Sequence, residues 1–411
     1  MNRNASFDDG RSVKQQISDA QAPLVAGIVF LAFMGQMLLN PLIAPLSREL
    51  GLREWHIGAA ISLAAAVLAM LSPLWGQVTQ KWGVKLILAS GMALATCALL
   101  SFAVVAAFGM KHQLTGMALV IGVLGTRGLV YGAGIAAVAP AAQTHVVTQC
   151  ASEDARVKGI GMIGAAQGMA AIVGGLVGGA LAAAGGLLVP LYAMPLVMGA
   201  GIAILLGCLR AVPVKNNEDS SQKVSFRDPR ILPWLSVGLV ILLVFSSVST
   251  IFGFTVQDRF GLEATETAGV TAIYLTVMGL SMVIGQAVIV PRLRWGARKL
   301  LRGGLLLLIL GIACMWPVSS HALLVASMLL TGLGMGLALP GYSTGPTLAA
   351  SDNEQGAVAG LINATNGLAY TLAPIVSTAL YGWKTLTPFI LCLVLGAAGC
   401  LYSQLHPSFR D

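Results

Sequence analysis

Residues 76–85 read GQVTQKWGVK, and residues 294–299 read RWGARK. Each phrase is a short basic interruption between long apolar runs, in a chain of 411 residues of which 56% are hydrophobic and only 10% charged. The runs on either side are about 20 residues long, the length at which a helix crosses a hydrocarbon core of roughly 30 Å. They are continuous rather than alternating, which favours helices over a strand barrel. A soluble chain of this length would need more charge to cover its surface, and the mean hydropathy of +0.83 points the same way. The lipid bilayer is therefore the solvent, and both basic phrases are expected to be tight turns at its edge.

Twelve spans are expected, at about 22–46, 55–79, 86–108, 115–143, 158–184, 190–211, 233–256, 267–291, 299–317, 321–350, 356–381 and 386–405. The polar stretch VKNNEDSSQKVSFRDPR, residues 214–230, separates the sixth from the seventh. The division that follows is a tail at 1–21, a six-helix bundle at 22–211, a linker at 212–232, a second bundle at 233–405 and a tail at 406–411. With both termini on one side, that side carries eighteen Lys and Arg residues and the other carries five, Arg48, Arg53, Lys111, Arg259 and Lys384. By the positive-inside rule both termini, both tails and the linker are cytoplasmic. The first 20 residues have no apolar signal core, so no cleavage is expected.

The two bundles also repeat each other. KWGVK at 81–85 answers RWGAR at 294–298, an offset of 213, and GAGIAAVAP at 132–140 answers GLGMGLALP at 332–340, an offset of 200. SEDARVKGIGMIGAAQG from Ser152 answers SDNEQGAVAGLINATNG from Ser351. Matches in the same order imply two parallel six-span repeats, an arrangement known among secondary transporters. The fold class is an all-α integral membrane protein with twelve transmembrane helices in two pseudo-symmetric bundles. Gly164 with Gly168, Gly174 with Gly178, and Gly332 with Gly336 are spaced for close helix approach, and Pro140, Pro340 and Pro374 are expected to bend their helices.

These residues are also where the chain resembles the major facilitator superfamily, whose signature between spans two and three reads Gly-x-Leu-Ala-Asp-Arg-x-Gly-Arg-Lys. Gly76, Val78, Lys81, Gly83 and Lys85 fit it, while Gln80 stands at the acidic position and Val84 at a basic one. The resemblance implies a gating role for Gly76, Gln80, Lys81, Gly83 and Lys85, with a weaker or rebuilt latch at Gln80. Span five, GMIGAAQGMAAIVGGLVGG, and span eleven, NEQGAVAGLINATNGLAYTLAP, are similar to those of the twelve-span drug/proton antiporter branch, which includes siderophore exporters. Ala170 and Ala171 stand where that branch has Gly-Pro.

Arg127 is the sharpest functional signal. It lies about twelve residues into span four, near the bilayer midplane, where a charged side chain costs a few kcal/mol. All sixteen acids fall in loops, tails or last turns of spans, so an intramembrane ion pair is not on offer. The residue at the repeat-equivalent position is Ser327, so the architecture does not impose the charge. Two readings stand: a guanidinium facing a wet central cavity, or one satisfied by carbonyls. A cavity cation favours an anionic or strongly hydrogen-bonding substrate.

Further candidates for substrate binding are Gln36, Asn40, Tyr131, Gln167, Ser246 with Ser247, Ser249 and Thr250, Tyr274, Asn363, Asn366 and Tyr370. Serine and threonine also bond their own helix, and amides also bridge helices. Ser351 with Glu354 reads as a capping box. The acids nearest the membrane, Glu49, Glu54, Asp258, Glu263 and Glu266, read first as solvated charges. Proton coupling would need one of them or a proton bound by the substrate.

No cofactor or metal site is expected, because the five histidines lie at span ends, loops or the tail with no acid pair nearby. An enzyme is disfavoured for the same reason. Basic residues are spread over short loops, which argues against a nucleic-acid partner. Five of the six cysteines, Cys97, Cys208, Cys314, Cys392 and Cys400, are expected as buried thiols in apolar runs, and Cys150 in a loop. The function expected is efflux of a small polar or anionic molecule, a drug or siderophore, by a proton-coupled monomer in a bacterial inner membrane. The alternative is an importer of a small organic anion.

Overall fold

The computed structural model describes residues 5–149, 153–209, 224–315, 320–351 and 354–409, with backbone alone for 5–20, 147, 149 and 153–157. Cys150 and residues 212–223 of the expected linker lie outside the described residues. Among the described residues, twelve long helical segments follow one another: α1 (Ala5–Met37), α2 (Glu54–Trp82), α3 (Val84–Met110), α4 (Gly116–Val146), α5 (Glu153–Gly185), α6 (Leu188–Cys208), α7 (Leu232–Phe260), α8 (Ala264–Leu293), α9 (Ala297–Cys314), α10 (His321–Ala349), α11 (Gln355–Trp383) and α12 (Thr387–Leu405). Ten combine span length with a strongly apolar stretch. α9 falls short because its 18 residues include Arg298, Lys299 and Arg302, and α11 because Asn363, Asn366 and its small residues dilute it. The helix of α1 starts well before the apolar run, since the polar segment ahead of it continues the same helix.

The helices pack as two matching sets of six. α1 lies on α5, α2 on α4 and α3 on α6, and the same partners recur as α7 on α11, α8 on α10 and α9 on α12. In lipid no hydrophobic force drives helix against helix, so close approach through small residues carries the packing. The repeat shows this contact by contact. A Cβ on Gly134 would stand 2.6 Å from the Ala95 nitrogen and 2.8 Å from the Gly91 carbonyl; one on Gly334 would stand 2.7 Å from the Leu308 nitrogen and 2.8 Å from the Gly304 carbonyl. Ala95 and Leu308 are 213 residues apart, as are Gly91 and Gly304, so one backbone contact is built twice. Gly132 and Gly332 likewise press on Ala64 of α2 and Met278 of α8.

Expectations for the other glycines divide. Gly174 admits Met37 of α1 and Gly178 admits Leu38 just after it, and Gly336 admits Met282 and Gly285 of α8. Gly164 and Gly168 are not close-approach sites, because nothing lies within 4 Å of a Cβ at either position. They belong to the stretch of α5 where the halves are apart. One buried apolar cluster runs through both halves toward the face away from the termini, the far face; toward the terminal face the second half has a cluster of its own. Polar contacts between halves, such as Ile375 N–H to Ser62 Oγ at 3.0 Å, sit on the far side, one residue after Pro374. Among the described residues, the close contacts between halves gather toward the far face, where Gly58 meets Pro374 and Thr378 and Gly179 meets Ala268 and Ala272.

The tight turns are as expected in place and unequal in build. Gly83, at φ 87°, is by itself the link between α2 and α3. The matching turn has three residues, Arg294 to Gly296, and its left-handed position falls on Arg294 at φ 50°. A side chain there costs about 1–2 kcal/mol. At the start of α11, Glu354 accepts from the Ser351 N–H at 2.9 Å, as the capping pattern predicts, and from Arg230 Nη2 at 3.0 Å. The Arg230 guanidinium first, and the Ser351 N–H after it, hold the Glu354 carboxyl down to about 2. This bridge is intact at neutral pH and is lost only as pH falls through the range from an ordinary carboxylate value toward 2.

The cysteines correct one expectation. Cys392 is buried, but Cys97 and Cys208 lie exposed on the bundle surface and Cys314 and Cys400 are half-buried, because lipid-facing positions accept a small apolar thiol as readily as the core does.

Gly334→Val should cost about 1–3 kcal/mol by overpacking and lower the thermal midpoint in detergent, and Gly134→Val should do the same at the matching contact. Gly164→Ala should leave the midpoint where it is. Equal midpoints for all three would contradict the packing described.

Candidate functional site

Residues 124–130 of α4 form a π-helical turn, and Arg127 sits in it. Such turns widen a helix by one residue and cluster at functional positions. Gly128 and Gly132 fit against Ala60, Leu63 and Ala64 of α2, which holds this stretch of α4 in the interior of the first half. Arg127 is 4% exposed, and its Cζ lies 4.5 Å from the centroid of the Tyr131 ring one turn on. Tyr131 is fully buried and its hydroxyl donates to Gln36 Oε1 of α1 at 3.0 Å. Neither Nε nor Nη1 of Arg127 has a hydrogen-bond partner among the described residues.

Magnitudes show what this arrangement lacks. A desolvated cation–π contact is worth about 2 kcal/mol. Placing the charge near mid-bilayer costs about 2.5–3.5 kcal/mol, and each unsatisfied donor about 1–3 more. The ring does not offset the total, so the guanidinium keeps donor capacity that the described residues do not take up. The equivalent position in the second half makes the contrast plain. Ser327 is fully buried and donates to the Gly311 carbonyl at 2.6 Å, tying α10 to α9.

Of the other candidates, Gln36 and Tyr131 are drawn to Arg127, and the remainder are dispersed. Asn40 donates to Met37 Sδ at 3.1 Å. Gln167 is half-buried on α5, and Ser246 is buried on α7 with its carbonyl taken by Thr250 Oγ1. Tyr274 bonds His321 Nδ1 at 2.6 Å, beneath a ring stack of His321 on Phe260. Asn366 Oδ1 accepts from Tyr342, and Asn363 and Tyr370 are exposed on the same helix. At the terminal face Gln80 and Lys81 are exposed, Gly76 has only Pro140 near it, and Lys85 Nζ donates to the Leu206 carbonyl at 2.8 Å.

The profile of the Major Facilitator Superfamily matches residues 25–293 and again 275–408. The chain belongs to this superfamily. Membership makes it a multi-pass membrane transporter of small molecules. It is 24% identical over 385 residues to multidrug resistance protein 1 of Bacillus subtilis, covering 90% of this chain and 92% of that one. It is 26% identical over 391 residues to the class G tetracycline resistance protein of Vibrio anguillarum, covering 89% and 94%. Among solved structures, the nucleoside transporter NupG superposes with a TM-score of 0.72 at 15% identity over 94% of this chain and 97% of that one. The human organic anion transporter MFSD10 does so at 0.65 and 17%, over 93% and 98%.

At the far face this facilitator pairs residues of its two halves, a pairing that sequence reasoning missed although it named Arg48, Glu54 and Asp258 singly. Asp258 is exposed to solvent and is also paired across the halves. Arg48, in the short helix Ile43–Glu49 after α1, pairs through Nη1 with Asp258 Oδ1 of α7 at 2.5 Å. Tyr381 of α11 donates to the other oxygen at 2.8 Å, Arg48 lies 5.5 Å from the Phe254 ring, and Glu54 is 3.9 Å from Arg48. Arg48 and Asp258 stand 210 positions apart in different halves, so no local pattern links them. Only the parity of the two-bundle fold brings both to the far face.

Arg48→Ala and Asp258→Asn should each open the far face, raising labelling of a cysteine placed at Ser62 by a membrane-impermeant maleimide several-fold. Labelling at the wild-type rate in both would mean that the pair does not hold the closure.

Proposed function

We propose that this transporter exports a small polar or anionic organic molecule, a drug or siderophore, by alternating access of its halves (22–211 and 233–405) about a site at Arg127. The observation that carries the reading is the buried guanidinium with Nε and Nη1 unpaired among the described residues, stacked on Tyr131, in a π-helical turn that α10, the counterpart of α4, does not repeat. A substrate carboxylate or comparable acceptor supplies what the protein withholds, and Gln36 and Tyr131 orient it. Parting of the halves at the terminal face gives the site its entry.

Full-length relatives named for resistance to several drugs and to tetracycline support the outward direction, since a membrane carrier confers resistance by removing the compound. The excess of Lys and Arg on the terminal face supports a cytoplasmic placement of both termini. On that orientation the resting closure faces the outside of a bacterial cytoplasmic membrane. One chain carries both halves, so a monomer suffices. We assign proton use to the far-face cluster. Asp258 faces Arg48 and Tyr381 with Glu54 nearby, so it is the acid whose charge bears directly on the contact between the halves.

Everted vesicles loaded against a panel of tetracyclines, other antibiotics and siderophores test the reading. Arg127→Ala should lower transport of the accepted compound about tenfold or more, the worth of a lost charge-assisted hydrogen bond, and Arg127→Lys should restore part of it. Asp258→Asn should keep downhill transport and lose the response to a pH gradient. Wild-type rates in Arg127→Ala would end the proposal, and net uptake by intact cells would mark an importer.

A further inference from the structure

The central site and the far-face closure leave the second basic turn without a use. Beside it, on the terminal face of the second half, is a cavity of about 600 Å³ between the start of α7, the α8–α9 turn, the end of α10 and the C-terminal turn at Pro407–Phe409. Four cations line it: Arg230, Arg294, Arg298 and Lys299. Asp228 and Glu354 already compensate Arg230.

Arg294 and Lys299 stand where local rules disfavour them. Arg298 and Lys299 occupy the first turn of α9, the positive end of the helix dipole, where an acid would be stabilising and a base is not. Arg294 holds a left-handed backbone that a glycine would adopt without cost. Arg302, one turn further on, has a structural reason: it donates to the Ser403 and Phe409 carbonyls and pins the C-terminal turn, whose Phe409 packs on Trp234 at 4.7 Å. In the first half the matching turn is a single glycine, and Lys85 serves the Leu206 carbonyl. The left-handed Arg294 and the extra base Lys299 gather at one cavity, while the twin turn has no left-handed base and carries Leu86 where Lys299 stands; such local costs are the mark of a binding site rather than of architecture.

The rim of the cavity is apolar. Leu348 is 76% exposed and Trp295 is 42% exposed, and the Trp295 ring lies over Gly303, where a Cβ would come within 3.0 Å. A cationic floor under an exposed indole and leucine matches the boundary between phosphate headgroups and acyl chains, where tryptophan is enriched. We propose that this cavity binds a phosphate group, and that its source is the headgroup of an anionic phospholipid in the leaflet at the terminal face. This goes beyond the export reading and does not depend on it.

The test is lipid binding to the purified full chain by native mass spectrometry, comparing phosphatidylglycerol with phosphatidylcholine and with inorganic phosphate as competitor. Wild type should prefer phosphatidylglycerol about tenfold or more, and Arg294→Gly and Lys299→Gln should each cut that preference about fivefold. Arg292→Gln, a cation of the same face outside the cavity, should leave it intact. Arg294→Gly suits the left-handed backbone, so a thermal midpoint at or above wild type accompanies its loss of binding. Stabilisation by millimolar phosphate without lipid preference would support the phosphate site and reassign its source to solution. No preference for either ligand, or an equal loss in Arg292→Gln, would overturn the proposal.

Discussion

Backbone-to-backbone approach at a pair of glycines is the contact from which the rest of the molecule follows. Where Gly134 meets Gly91 and Ala95, and Gly334 meets Gly304 and Leu308, no side chain separates the helices. A bilayer supplies no hydrophobic force to press helices together, so such contacts decide which helices are neighbours. Because the contact is made twice at equivalent positions, the two halves take the same internal order. The halves meet mainly along α2 with α11 and α5 with α8. The paired glycine contacts lie within each half, and the alternating-access proposal places the change at the surface between them.

Function enters where the halves stop matching. Ser327 satisfies its helix pair and asks for nothing further, while Arg127 at the equivalent place carries a charge that Tyr131 only partly stabilises. The far-face closure is also asymmetric, one arginine of the first half held by one aspartate and one tyrosine of the second. Symmetry builds the carrier, and departures from it hold the chemistry. The second basic turn, with its left-handed Arg294 and its cavity, is a third departure of the same kind.

Much of this was legible in the sequence because the bilayer imposes a length on every span. Expected spans and observed helices agree to within a few residues except at α1. Its helix begins in the polar segment and ends at Met37, with the short helices Asn40–Leu42 and Ile43–Glu49 completing the expected span; apolarity signals neither the continuation nor the break. Arg127 with Gln36 and Tyr131 was legible because polar groups inside an apolar run are rare. Tyr274 was placed with the cavity candidates, yet its hydroxyl is bonded to His321, a partner 47 residues away that periodicity does not reveal. The Arg48–Asp258 pair was illegible for the same reason on a larger scale. Gly164 and Gly168 have the spacing of a packing pair, but spacing does not say whether a neighbouring half is present in a given conformation.

The central claim is that two rigid six-helix bundles rock against each other about a midplane site. Distances between spin labels by pulsed electron resonance test it most directly, with one pair at positions 53 and 384 on the far face and another at 80 and 356 on the terminal face. The account predicts a short far-face and a long terminal-face distance at rest, with both changing together in opposite directions when the Arg48–Asp258 pair is broken. Distances that stay fixed, or that lengthen on both faces at once, would contradict it.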